Sequence, residues 1–367
     1  MLGKKNARTI VVVSIGSGSV SVSVALSSTK TTVLASERRS LSMEKRSPKQ
    51  TVAALRQQLL EILQKVTTEL QARPNPPKID EIYCIIRAPW TTSKLARAEK
   101  SFSKDEHITS SVISELAQQA LVNSQTSETL HDVCVAKILL NGYHVKQAER
   151  KIAHHVEVFA LISTCKPALR QVFRETLVTA FPGHVPIMRS GTRVLMEYLE
   201  RSRPVSDCLI LDFSEDGTAC VVVRNGAFDT EFYVPEGIRT VLERAGKASP
   251  DELRQSLRMM ARDECSQATC VAAETALVKI EPELAHIFGE QFTKEGAQRH
   301  LPNTVFLVAE PDMLPWLIRF FSRIDFTQFT TTSQPFDVTS LVESVDIEGA
   351  SASGVDLLLT LINKELV

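Results

Sequence analysis

Two stretches of the chain combine small, hydroxyl and acidic residues at spacings suited to holding phosphates: Ser14-Ile15-Gly16-Ser17-Gly18-Ser19 and Asp212-Phe213-Ser214-Glu215-Asp216-Gly217-Thr218. Each follows one apolar run and precedes another, which reads as strand, tight glycine turn and returning strand. Backbone N–H groups and hydroxyls of two facing turns can hold phosphates across a cleft, and a carboxylate such as Asp212 can hold a divalent cation. The same glycines have a purely structural use, since any such hairpin needs them.

The elements that must position these turns follow from periodicity. Residues 9–26 are Val-rich and alternate Val with Ser from Val20 to Val24, and 31–35 can add a third strand. A long amphipathic helix over 50–71 ends before Pro74, Pro76 and Pro77. A separate unit follows: a strand over 79–86, a polar stretch over 91–104 expected as an exposed hairpin, a helix over 110–122 capped from Thr109 to Ser111, and two strands, 133–140 and 145 or 151 to 162, joined through Asn141-Gly142. A helix over 167–181, a strand over 185–188 and a helix over 192–199 come next. From Asp207 the opening pattern returns as strands over 208–213, 218–224 and 227–234, with Asn225-Gly226 between the last two. The remainder predicts helices over 249–262 and 275–288, a strictly apolar strand over 305–309, a helix over 313–321 and a closing helix over 354–366.

At 367 residues the chain exceeds one ordinary core, which implies two lobes. Lys plus Arg number 42 against 43 Asp plus Glu, and aromatic residues make up 6%, so neither a global field nor a stacking platform points to nucleic acid. The apolar run after Lys4, Lys5 and Arg8 is too short for a signal segment, and no run approaches a membrane span, so a cytoplasmic location is expected. Seven cysteines without CxxC spacing read as free core thiols in a reducing compartment.

The paired meanders resemble the two phosphate loops of the actin and sugar-kinase superfamily. An adenosine-side strand of that superfamily aligns with Val305-Phe306-Leu307-Val308-Ala309-Glu310-Pro311. The unit inserted after the first long helix resembles the FtsA and PilM branch, as do Asn141-Gly142-Tyr143 and the passage from Asn225-Gly226 to Val234-Pro235-Glu236-Gly237, similar to that family's turn into a helix. The resemblance implies an α/β, two-lobed actin-like fold, a duplicated ribonuclease-H-like design with an inserted strand, helix, strand, strand module. The first lobe would comprise 1–77 and 166–204, the module 78–165, and the second lobe 205–367 with a helical part about 241–300. It also implies a site for ATP and Mg²⁺ at Ser14, Gly16, Ser17, Gly18, Asp212, Glu215, Gly217, Thr218, Gly237, Ala309 and Glu310, with Asp212 as metal ligand.

Departures from the family pattern argue against hydrolysis. Ser14 stands where the family has an acid, Phe213, Ser214 and Glu215 stand where it has small residues, and the glycine pair after the adenosine strand has become Ala309-Glu310 before Pro311, which has no N–H. Losing one group that stabilises a transition state lowers a rate on the order of 100-fold or more. No catalytic residue is therefore assigned. The expected role is a non-catalytic or weakly nucleotide-binding scaffold in a membrane-associated division or type IV pilus-like assembly, acting through protein partners and self-association of the module. The sequence stops after a predicted core helix, which favours recruitment by a partner over a direct membrane anchor. A working ATPase with Glu215 or Asp216 as the substituted acid is the alternative. A sugar or acetate kinase lacks a visible substrate site.

Other chemistry is weaker. His154 and His155 are neighbours in a predicted strand and point to opposite faces, so they cannot share a metal. Cys265, Cys270, His286 and His300 lack zinc spacing, and Gly16-Ser17-Gly18 is not a nucleophile elbow. Trp90 is expected at the base of the module, and the Trp316 to Phe321 run in the core.

Overall fold

The computed structural model describes residues 8–27, 31–124, 129–202, 204–246, 249–262, 264, 266–296 and 299–341 of the chain. The predicted helix over 354–366 lies outside the described residues.

The first sheet is built around β1 (Arg8–Ile15), whose run of β-branched residues is buried on both faces, as a central strand requires. It pairs antiparallel with β2 (Ser19–Ser27), which pairs with β3 (Thr31–Ser40). The chain then crosses over through α1 (Pro48–Gln71) to β4 (Glu81–Ile86), parallel to β1, because parallel neighbours need a long connection. Helix α1 begins where Ser47 and Gln50 form a reciprocal capping box with Pro48 in the first turn. Its buried stripe of Leu55, Leu59, Ile62, Leu63, Val66 and Leu70 packs with Val20, Val22 and Val24 of β2 in one aliphatic core.

A separate sheet follows in sequence. Strand β5 (Thr91–His107) leads through α2 (Ser110–Asn123) to β6 (Thr129–Leu140), the short β7 (Tyr143–His144) and β8 (Ile152–Cys165), in the order β5-β8-β6-β7. The exposed hairpin expected over 91–104 is therefore one long strand. Its alternation of polar and small residues reflects one covered face, where Ala96 and Ala98 meet Leu116 and Ala120 of α2.

After α3 (Pro167–Ala180) the first sheet gains its fifth strand, β9 (Ile187–Ser190), parallel to β4, and α4 (Gly191–Ser202) follows. The second sheet repeats the plan. β10 (Cys208–Phe213) is buried throughout, pairs antiparallel with β11 (Thr218–Arg224), and β11 pairs with β12 (Ala227–Val234). Helices α5 (Ile238–Ala245), α6 (Pro250–Ala261) and α7 (Gln267–Gly296) precede β13 (Thr304–Val308), and α8 (Leu314–Arg323) precedes β14 (Asp337–Ser340), both strands being parallel additions. The two sheets share one order, β3-β2-β1-β4-β9 and β12-β11-β10-β13-β14. They meet through a common core in which Ile10 and Val12, Val194 and Leu195 of α4, and Ile210 and Val221 pack together.

Helix α7 runs well past the expected 275–288, through Pro282. Cys84, Cys134, Cys208 and Cys220 are free, and burial pushes the thiols of Cys84, Cys134 and Cys208 up to about 12. The expectation of free cysteines fails at Cys270, which is disulfide-bonded in the first turns of α7 rather than in a core strand. Among the described residues no helix is long and apolar enough to cross a membrane.

Candidate functional site

The turn between β1 and β2 is closed by Gly16 N–H donating to the Ser19 carbonyl at 2.9 Å. The indole N–H of Trp90, at the mouth of β5, donates to the Gly16 carbonyl at 2.9 Å, so this residue braces the turn from the module side. Ser14 ends β1 buried and has no acidic neighbour in the turn. Gly18 is held against the second turn: a Cβ added there would lie 2.3 Å from Cγ of Glu215. Ser17 is 2% exposed, its hydroxyl donating to Ser214 Oγ at 3.2 Å and accepting the Asp216 N–H at 3.0 Å. The two sequence-predicted loops thus touch each other.

Around the second turn, Asp212 ends β10 at 4% exposure. Arg87, which follows β4, grips both of its carboxylate oxygens, with Nε on Oδ2 at 3.2 Å and Nη2 on Oδ1. Ser214 N–H closes the turn onto the Gly217 carbonyl, and Thr218 Oγ1 donates to the Glu236 carbonyl at 2.7 Å. Gly237 precedes α5 where no side chain fits, a Cβ there lying 2.3 Å from the Gly217 nitrogen. That close approach lets the first N–H groups of α5 reach loop carbonyls: Ile238 donates to Ser214 and Arg239 to Glu215, each at 3.0 Å. A helix N-terminus otherwise offers such groups to anions.

Just past β13, Ala309 is half-buried, and Glu310 forms an ion pair with Arg38 of β3, whose Nη2 also donates to Ser19 Oγ at 3.1 Å. Arg254 of α6 is 3% exposed and holds Glu215 Oε1 at 2.9 Å. Asp312 takes Arg254 at 3.5 Å and Arg258 at 3.2 Å. Burial lowers Arg38 to about 10, helped by the charges of Arg87 and Arg254. Burial raises the Glu215 carboxyl above its usual range, against the pull of Arg254. Glu215 and Asp216, the acids expected to substitute for the missing one, are both paired, Asp216 with Arg239 at 2.6 Å.

The two turns, Gly237 and Glu310 are brought close together, but sequence reasoning missed the charged residues between them: Arg38, Arg87, Arg254 and Arg258, with Asp312. Only the Arg254 and Arg258 spacing on a helix hinted that two guanidiniums shared a face. A Mg-nucleotide does not fit this donor set. The Asp212 oxygens, the Ser17 hydroxyl and the leading N–H groups of α5 already have protein partners. Among the described residues, Arg38 Nε and Arg254 Nη2 are buried donors without a hydrogen bond.

Glu231 of β12 accepts from the Ser93 N–H of β5 at 2.8 Å and from Thr192 Oγ1 of α4 at 3.2 Å. Burial lifts its carboxyl to about 7, against the effect of those donors. His154 and His155 have separate partners, as strand geometry demands: His154 faces Asp105 at 3.3 Å and His155 meets Ser101 at 2.9 Å. His155 also lies near Glu99 and Glu157, where Arg97 already pairs with both carboxylates.

Two sheets of one order, each opening with an antiparallel meander whose turn meets the other's across a cleft, define the two-lobed actin-like ATPase fold. A PilM-PilN type IV pilus biogenesis complex is similar over 97% of this chain and 97% of that one, at 14% identity and a TM-score of 0.57. Weaker likenesses are the ethanolamine utilization protein EutJ from Carboxydothermus hydrogenoformans, at 11% identity over 93% and 87% of the two chains with a TM-score of 0.42, and a Bacteroides thetaiotaomicron protein with an actin-like ATPase fold, at 10% identity over 98% and 99% with a TM-score of 0.39. No family model matches the chain, and no curated protein does. The similarity is thus PilM-like in fold.

Proposed function

We propose that this chain is a non-catalytic or weakly nucleotide-binding actin-like scaffold of PilM-like type. It works in the cytoplasm through protein contacts, recruited to the inner face of the membrane by a partner within a pilus-type or division-type assembly. Its divisions are 1–77 with 166–204, the module 78–165, and 205–367. The observation that carries this reading is the grip of Arg87 on Asp212, the acid that a Mg²⁺ would need. The similarity in fold to a chain of a PilM-PilN type IV pilus biogenesis complex supports the protein-contact role.

Two measurements test it. Phosphate release from Mg-ATP by the purified chain is expected at background, and turnover abolished by Asp212→Ala would overturn the non-catalytic reading. Co-purification with the cytosolic tails of membrane proteins encoded beside its gene is expected. Failure of every such tail to bind would overturn the scaffold reading.

A further inference from the structure

We infer that the cleft carries an internal substitute for a Mg-nucleotide: ion pairs between the two sheets hold it closed without a ligand. The inference deepens the scaffold reading and rests on it. In the two ion pairs that join the sheets, the charges are segregated. The first-sheet side contributes the cations, Arg38 from β3 and Arg87 after β4, while the second-sheet side contributes the acids, Asp212 at the end of β10 and Glu310 after β13. A guanidinium thus meets the acid that would hold a metal, and a carboxylate lies where the fold places the nucleoside side. Carboxylates and guanidiniums can play these parts because their forked geometry and charge match phosphate recognition with the roles reversed.

Burial costs these ions hydration but leaves their pairing poorly screened, so each depends on its partner. The Asp212 side chain is 5% exposed and that of Arg87 19%, with 19% and 16% for Arg38 and Glu310. Exposed pairs contribute little, but partly buried ones are poorly screened, and removing one partner strands the other. Between the pairs, Ser17 bridges to Ser214 and to the Asp216 N–H, and Glu215 fills the space beside Gly18 with Arg254 behind it. A Mg-nucleotide would have to break these contacts before making its own.

The test uses the purified full chain, with melting temperature and solution radius of gyration as readouts. Wild type is expected to show a melting temperature unchanged by millimolar Mg-ATP or Mg-ADP, since stabilisation by a ligand grows with its concentration over its Kd. Arg38→Glu is expected to lower the melting temperature and enlarge the radius, and the swap Arg38→Glu with Glu310→Arg to recover both. If the single reversal does not fold, the milder Arg38→Met and Glu310→Gln cycle decides, with a coupling of about fivefold or more expected in the unfolding equilibrium. A melting temperature raised by Mg-ATP through Asp212, a swap that recovers nothing, or a cycle without coupling would overturn the inference. Partner binding is not read in this experiment, so the scaffold reading can fail while the lock stands.

Discussion

The two sheets have the same strand order but have diverged in opposite directions. The first is backed by a mainly aliphatic core of Val, Leu and Ile from the sheet and α1, with Phe173 of α3 and Phe181 after it, and its turn holds no charged residue. The second is backed by an aromatic cluster in which Phe288 lies within 5.8 Å of Phe213 and Phe292 and 5.1 Å of Phe321, centroid to centroid, and its turn carries two acids, Glu215 and Asp216. Topology has been kept while core and charge were redistributed, so complementarity across the cleft comes from residues the repeat does not share.

The largest test of that contrast is in the cores. Phe288→Ala should lower stability by about 3–5 kcal/mol in denaturant unfolding, while Leu59→Ala stays near the lower end of about 2–5 kcal/mol. Equal losses would show that the aromatic half is no more tightly specified than the aliphatic one. Next comes Glu231, which ties β12 to the module and α4. Its folded carboxyl titrates near 7 against an ordinary 4.5, so the unfolded chain gives up its proton first. Stability therefore falls as pH rises from about 4.5 to about 7, by up to about 3 kcal/mol, and stays low above that. Glu231→Gln should remove this slope, and parallel melting curves for the two proteins across that range would refute it. The smallest effect lies within one turn. Gly18→Ala meets Glu215 at 2.3 Å and should cost about 1–3 kcal/mol, whereas Gly16→Ala meets only Ser19 at 3.5 Å and should be nearly neutral. Adding Glu215→Ala to Gly18→Ala should relieve the clash; a double variant no better than the sum would place the strain elsewhere.

Much of the fold was legible because it rests on local signals. The buried runs of β1 and β10 are continuous and β-branched, and both Asn-Gly pairs sit at positive φ, with Asn141 at 50° and Asn225 at 51°, as tight hairpins require. Strand β5 was misread because a strand with one solvated face looks like a polar loop when its partner is far away in sequence. The two glycine turns were readable from glycines and hydroxyls, but the charged residues packed around them were not. Arg38 and Arg87 carry no local mark of their roles, and Arg254 only its spacing from Arg258; each finds its acid only once separate elements have come together.

The first sheet is interrupted in sequence. β4 and its parallel neighbour β9 are separated by the entire inserted sheet and α3. During synthesis, the first half therefore waits for its last strand until the module has been made, and such long-range parallel pairing is slow to form. A lesion confined to the module would then surface as incomplete folding of the part that precedes it.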